Sequence, residues 1–317
     1  MRLWILIIAM IVLSFISLFI GAIDIRISDL LDWNSEETQI FLISRVPRLI
    51  AIILAGAGMS IAGLIMQALS RNKFVSPTTA GTLDAAKLGI LISMLFITNV
   101  TYTQQIIFSF AFSLVGTLVF MQILERIKFK DAIFVPLIGI MYGNILSSIT
   151  TFFAYEADLI QNISAWLMGS FTLIMAGRYE LLYISIPAVI LAYLYANKFT
   201  VAGMGEEFAK NLGLSYKVVL NIGLILVAII STTVVLTVGV IPFLGLIVPN
   251  IVSIYLGDNL RKTIPHTMLL GVVFLLLCDI IGRIIIHPYE IPVNVTVAVI
   301  GSAIFLIMLF RGRAYAK

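Results

Sequence analysis

RVPRLIAIILAGAGMSIAGLIMQALSRN, residues Arg45 to Asn72, opens on two arginines, runs from Leu49 to Ser70 without a charge, and closes on Arg71. A helix needs about twenty apolar residues to cross a hydrocarbon core, and this run supplies them. How often the pattern recurs decides the fold. Apolar segments of similar character lie at 3–22, 47–69, 80–98, 105–123, 132–154, 180–197, 217–238, 241–257, 264–282 and 292–310. Composition agrees: 61% of residues are hydrophobic and 11% charged, where a soluble domain carries roughly a quarter charged residues. The chain reads as an all-α polytopic membrane protein, a single transmembrane domain over 1–317 with about ten spans.

The first run follows a lone Arg2 and lacks a small-x-small cleavage site, so it is read as a retained span. The eighth, within VGVIPFLGLIVPN, carries Pro242, Pro249, Gly239 and Gly245 and is expected to be broken or kinked. Basic residues set the orientation. With the N-terminus inside, one side collects Arg2, Arg71, Lys73, Arg126, Lys128, Lys130, Lys198, Lys210, Lys217, Arg261, Lys262, Arg311, Arg313 and Lys317. The other receives only Arg26, Arg45, Arg48, Arg178 and Arg283, and Lys87 is ambiguous. Cytoplasmic loops collect Lys and Arg, so both termini are placed in the cytoplasm. Five spans precede the 155–179 loop and five follow it, which implies two inverted halves.

Several chemistries are excluded. The chain has no G-x-x-x-x-G-K-[ST], hence no P-loop of its own, and no H-E-x-x-H. Its histidines, His266 and His287, fall near opposite membrane faces, and Cys278 sits alone in an apolar run. No catalytic constellation, cofactor, metal site or nucleic-acid partner is expected; the formal charge of +4 is a matter of topology.

The polar residues that remain carry the functional question. If the second helix begins after Pro47, Arg48 lies in its first turn, where the dipole disfavours a cation. Either an acidic partner compensates or Arg45 and Arg48 snorkel to headgroups. Gly56, Ser60 and Gly63 suit close helix packing. Asn144, Ser147, Ser148 and Thr151 recur at i, i+3, i+4 and i+7, one face of a helix. That face is either the wall of a polar translocation path or interhelical hydrogen-bond glue. Asp279 and Arg283 form an i, i+4 pair, or Arg283 joins Arg45 and Arg48 in an outward basic cluster. Asp84 and Lys87, at i, i+3, can neutralise each other.

GMGEEFAKNLGLSYK, Gly203 to Lys217, breaks the greasy sequence near its middle. Glu206 and Glu207 fit the first turn of a short helix and Lys210 its end, as the dipole prefers. Phe208 and Leu212 make an apolar face, Gly213 suits the C′ position, and Ser215 is expected to cap the next helix. An interfacial helix would carry mostly Lys and Arg. Acid-first charges favour a helix that meets a protein.

Taken in order, RVPR, LAGAGMSIAGLIMQ, GTLDAAKLG, GEEFAKNLGLS, GVIPFLGLIVPN, DNLRKTIP, CDIIGR and EIPV resemble the FecCD/BtuC-like permeases of type II ABC importers, over about residue 45 to the C-terminus. The resemblance implies a ten-span subunit that pairs with a second permease, two ATPase subunits and an extracellular or periplasmic substrate-binding protein. It implies that Arg45, Arg48 and Arg283 meet acids on the binding protein. It makes Gly205, Glu206, Glu207, Phe208, Ala209, Leu212 and Gly213, within a segment of about 203–216, the helix seated in the ATPase. The fifth span and the segment after it would gate the pathway. The sequence departs from the family at Asn250, Ser253 and Asn294, and SPTTAGTLDAAKLG replaces a more usual Asn-Pro-Leu-Ala block. The last variant resembles the branch serving catecholate or petrobactin-type siderophores, which implies ferric siderophore as cargo and a heterodimer rather than a homodimer. Haem or cobalamin import by the same architecture is an alternative. A secondary transporter driven by an ion gradient would want acidic or His groups at mid-membrane, whereas the charges here lie near span ends.

Overall fold

A computed structural model describes residues 2–21, 35–126 and 134–315. Arg26, Lys128, Lys130 and Lys317, used above for orientation, lie outside the described residues. In chain order the helices are α1 (Leu3–Phe19), α2 (Glu36–Ile40), α3 (Val46–Leu69), α4 (Thr82–Phe96), α5 (Tyr102–Arg126), α6 (Phe134–Glu156) and α7 (Ile160–Leu167). They continue as α8 (Ser185–Leu194), α9 (Ala196–Gly203), α10 (Glu206–Asn211), α11 (Tyr216–Val238), α12 (Leu244–Leu256), α13 (Leu260–Ile284) and α14 (Val293–Tyr315).

Among the described residues, each of the ten apolar segments carries a helix. Six helical runs among the described residues are long and apolar enough to cross a membrane unaided: Glu36–Leu69, Tyr102–Leu124, Pro136–Glu156, Tyr216–Val238, Leu260–Ile284 and Val293–Phe310. The sixth predicted span is not straight. Glu180–Leu194 and Ala196–Gly203 meet at 62°. Ala196, Phe199 and Ala202 are fully buried and turn α9 inward against α3, α11 and α13, so packing bends a segment that has no Pro or Gly at the join. The other three segments form the shorter helices α1, α4 and α12, of 17, 15 and 13 residues.

The packing repeats when the halves are exchanged. α3 and α11 touch at the centre. α4 packs on α5 and α6 as α12 packs on α13 and α14; α3 meets α12 and α13 as α11 meets α4 and α5. With no hydrophobic drive between helices in lipid, close approach and interhelical hydrogen bonds hold such a bundle. A side chain on Gly63 would overlap the Gly245 carbonyl of α12, and one on Gly271 of α13 would overlap Ser60 Oγ. Gly56 faces the Gly271 carbonyl, where an added Cβ would sit 3.0 Å from it. All three small residues read from the sequence are therefore crossing points. Gly63→Leu should abolish the folded subunit, since overpacking backbone against backbone leaves no side chain to move. Detergent-solubilised yield and a monodisperse size-exclusion peak are the readout; wild-type yield would count against this crossing.

Two helix boundaries differ from expectation. The second helix does not begin after Pro47: helix runs continuously from Glu36 through a π-turn at Phe41–Arg45 into α3. Pro47 cannot donate to the carbonyl four residues back, Ile43, but Ala176 N donates to that oxygen at 2.9 Å. Arg48 is thus mid-helix, and the dipole objection to it disappears. In the eighth segment the irregular stretch is Gly239–Phe243, while α12 runs unbroken through Pro249. Pro249 frees the Gly245 carbonyl, and Gln67 Nε2 on α3 covers it, at 3.4 Å from Gly245 O and 3.0 Å from Leu246 O.

Candidate functional site

The two ends of the bundle differ in chemistry. At one end α9 passes into α10 through Gly205, whose φ of +120° is available only to glycine without strain. Lys210 pairs with Glu206 at 2.8 Å along α10. Gly213 (φ +74°) closes the helix in a Schellman motif: its N–H donates to Lys210 O at 2.9 Å and that of Leu214 to Ala209 O at 2.9 Å. Ser215 occupies the next N-cap, but contrary to expectation its side chain makes no cap hydrogen bond. Ala209 is fully buried and seats the turn, whereas Phe208 is 48% exposed and Leu212 61%. Two large apolar side chains one turn apart thus project from an anchored helix, among exposed Glu207, Lys210 and Asn211.

Beside this end, Lys73 pairs with Asp258 and donates to Ser253 Oγ at 2.6 Å. Asn250 Nδ2 donates to Lys73 O at 2.7 Å. Burial alone raises the Asp258 carboxyl, but hydrogen bonds from Lys73 and Ser253 outweigh it and hold the group below its usual range. Two of the positions that depart from the family pattern, Asn250 and Ser253, therefore work together in tying α12 to the α3–α4 connection.

The opposite end holds the arginines. Arg48 lies 2.8 Å from Asp279 and 2.8 Å from Glu290. Arg283 also pairs with Asp279 and donates to Ser17 O (2.9 Å), Ile20 O (2.7 Å) and Ser17 Oγ (2.5 Å). Arg45 donates to the same Ile20 carbonyl. The structure thus brings Arg45, Arg48 and Arg283 together, as the sequence suggested, but buries them: Arg283 is 3% exposed and Arg45 8%. They do not snorkel. The local Asp279–Arg283 pair is present and is one part of a larger network linking α1, α3, α13 and the segment before α14. Glu290 and Ser17 were missed as partners, because each lies more than two hundred residues from the arginine it meets.

Glu290 extends the network to the 168–179 segment by accepting from Thr172 Oγ1 at 2.9 Å. Burial would raise its carboxyl, but Arg48 and the Thr172 hydroxyl reverse this and hold it below the usual range. A depressed folded-state value contributes stability above the unfolded one, lost as pH falls through the folded value. The thermal midpoint of Glu290→Gln should therefore lie below wild type at pH 7 and converge with it as the pH drops below about 4.5. A gap independent of pH would contradict that linkage.

Between the ends, α6 presents Asn144, Ser148 and Thr151 at the subunit surface, with Ser147 half-buried beside them. Ser148 Oγ bonds back to Asn144 O at 2.8 Å. Among the described residues this face has no partner helix, so it is not glue within the subunit. Asp84 and Lys87 pair at 3.0 Å on α4, as spacing suggested, with Asp84 against Gly143 of α6.

A bundle of about ten apolar helices in two similarly packed halves, with a buried charge network at one end and an anchored amphipathic turn at the other, is the architecture of a membrane transport permease. The chain belongs to the FecCD transport family, which matches it over residues 8–311. It is 60% identical, over the full length of both chains, to the petrobactin import system permease protein YclN of Bacillus subtilis. It is 41% identical to the ferric-anguibactin transport system permease protein FatD of Vibrio anguillarum, over 97% of this chain and 98% of that one. Among solved structures, an inward-facing metal-chelate type ABC transporter superposes with a TM-score of 0.84 at 23% identity, covering 98% of each chain, and so shares the fold.

Proposed function

We propose that this chain is the membrane permease subunit of an ABC importer that carries a ferric siderophore into a bacterial cell, with ATP hydrolysed on separate subunits. The observation that carries this reading is the 60% identity to a petrobactin import permease with no part of either chain left unmatched. Both termini are cytoplasmic in this reading, which the distribution of basic residues supports. That orientation puts Gly205–Gly213 in the cytoplasm, where an ATPase subunit is available to meet Phe208 and Leu212. Docking of a substrate-binding protein falls to the opposite end. Arg45, Arg48 and Arg283 act there as an internal clamp that fixes the loops presented to it, since their own guanidiniums are already engaged. The exposed polar face of α6, Asn144 to Thr151, lines the pathway against a second permease subunit, a heterodimer being favoured by the branch the sequence resembles.

The test is uptake of labelled iron by cells lacking the chain and complemented with it. Complementation should restore uptake of ferric petrobactin or a related catecholate chelate by tenfold or more. Restoration of haem or cobalamin uptake alone would replace the siderophore in this reading.

A further inference from the structure

The end of the bundle that carries the arginine network also holds a cavity of about 320 Å³ that opens to the surface. It lies between the start of α5, α7, the 168–179 segment and the end of α11. Tyr102 and Trp166 form one wall, their rings stacked with centroids 5.1 Å apart. The Arg178 guanidinium stands over the Tyr102 ring at 5.6 Å. No carboxylate among the described residues pairs with Arg178. The neighbouring Glu180 is already engaged, its oxygens accepting from Gly177 N at 2.6 Å and Tyr179 N at 3.0 Å. Gln105 lines the same cavity and is 8% exposed, yet its carboxamide has no hydrogen-bond partner among the described residues. Its amide atoms keep contact with the solvent of the pocket, so a ligand group that enters can pair with them.

A cation without a carboxylate partner, an aromatic wall and an amide open to the pocket define a recognition chemistry. The geometry points to this cavity as a binding subsite for the anionic aromatic arm of the transported chelate, a ring bearing carboxylate or phenolate oxygens. The identification of the ligand as part of the cargo rests on the import reading above. The ring lies against Trp166 and Tyr102, where offset stacking adds to area burial. The anionic oxygens take charge-assisted hydrogen bonds from Arg178, and the Gln105 amide donates to the same group. The volume is at the low end of the roughly 300–1,000 Å³ seen for ligand sites, which suits one arm of a chelate and not the whole of it. The site is also coupled to the arginine network. Ser170 on the cavity wall donates to Thr172 Oγ1 at 3.0 Å, and Thr172 donates to Glu290 at 2.9 Å. The loops that meet an incoming binding protein and the wall that meets its cargo are thus one connected structure.

Trp166 provides the readout. The chain has three tryptophans, so Trp4→Phe and Trp33→Phe make Trp166 the only one of this chain, and the same importer with Trp166→Phe as well gives the background from the partner subunits. Titration with 2,3-dihydroxybenzoate should quench the Trp166 fluorescence saturably, and cyclohexanecarboxylate, which keeps the charge and loses the ring, should compete poorly. Loss of a charge-assisted contact corresponds to about tenfold in affinity, so Arg178→Gln should weaken binding about tenfold or more. Gln105→Leu, close in size, should weaken it less, by roughly three- to tenfold. Arg178 is on the surface, so its replacement leaves folding intact, and size exclusion checks Gln105→Leu. Absence of saturable quenching, or wild-type affinity in Arg178→Gln, overturns the assignment. Ferric-siderophore uptake by the same unsubstituted importer separates the two readings. Uptake without quenching removes the cavity assignment alone. Quenching that weakens in Arg178→Gln, with no uptake, upholds the site and removes the import reading.

Discussion

Replacing Asp279 with alanine is expected to destabilise the subunit by about 3–5 kcal/mol, the cost of breaking a buried ion pair by removing one partner. Asp279 is 3% exposed and serves two arginines at once, Arg48 at 2.8 Å and Arg283. Its loss leaves Arg283 buried with only hydroxyl and carbonyl oxygens of α1 around it, while Arg48 keeps Glu290. That asymmetry yields a second result. Asp279→Ala with Arg283→Met should recover a substantial part of the loss, because the unpaired charge goes with its partner. Arg48→Met should not rescue as well, since it strands Glu290. Thermal midpoints in detergent measure all of these. A midpoint for Asp279→Ala equal to wild type would show that the network is not what joins α1, α3 and α13.

The second large effect lies at the other end. Phe208→Asp with Leu212→Asp should reduce ATP-driven uptake at least tenfold and loosen co-purification of the ATPase. Hot-spot side chains at protein interfaces cost about 2 kcal/mol or more when removed, and 1.4 kcal/mol is a factor of ten. The permease itself should fold normally, because both side chains are already about half exposed or more. Its anchor is the buried Ala209 and the Gly213 closure, which the substitutions leave untouched. Normal uptake by the double variant would remove the coupling role from α10.

Much of this architecture is legible in the chain because lipid imposes a coarse rule: every span must be apolar and about twenty residues long. The local features were readable for the same kind of reason. Asp279–Arg283 and Asp84–Lys87 are one helical turn apart, and the Phe208/Leu212 face and the Gly213 stop follow from spacing alone. Contacts between distant segments leave no such mark. Arg48 meets Glu290 across 242 positions, and Ser17 meets Arg283 across 266. The cavity residues Tyr102, Gln105, Trp166 and Arg178 come from three separate segments and show no period. The start of the second helix was misplaced because Pro47 is tolerated inside it, directly after the wider π-turn at Phe41–Arg45 and with the freed carbonyl of Ile43 given another donor. Ala176, more than a hundred residues away, supplies the missing donor. The 62° bend after Leu194 has no local signal either, since burial of Ala196, Phe199 and Ala202 produces it.

The central claim is that this permease moves its cargo by ATP hydrolysis on another chain. It is tested most directly in proteoliposomes holding the permease, its partner permease and the ATPase, with the binding protein and labelled ferric siderophore outside and nucleotide within. Uptake should require Mg-ATP, cease with a non-hydrolysable analogue or a hydrolysis-dead ATPase, and ignore an imposed proton or sodium gradient. Uptake that follows the ion gradient and continues without ATP would contradict the account.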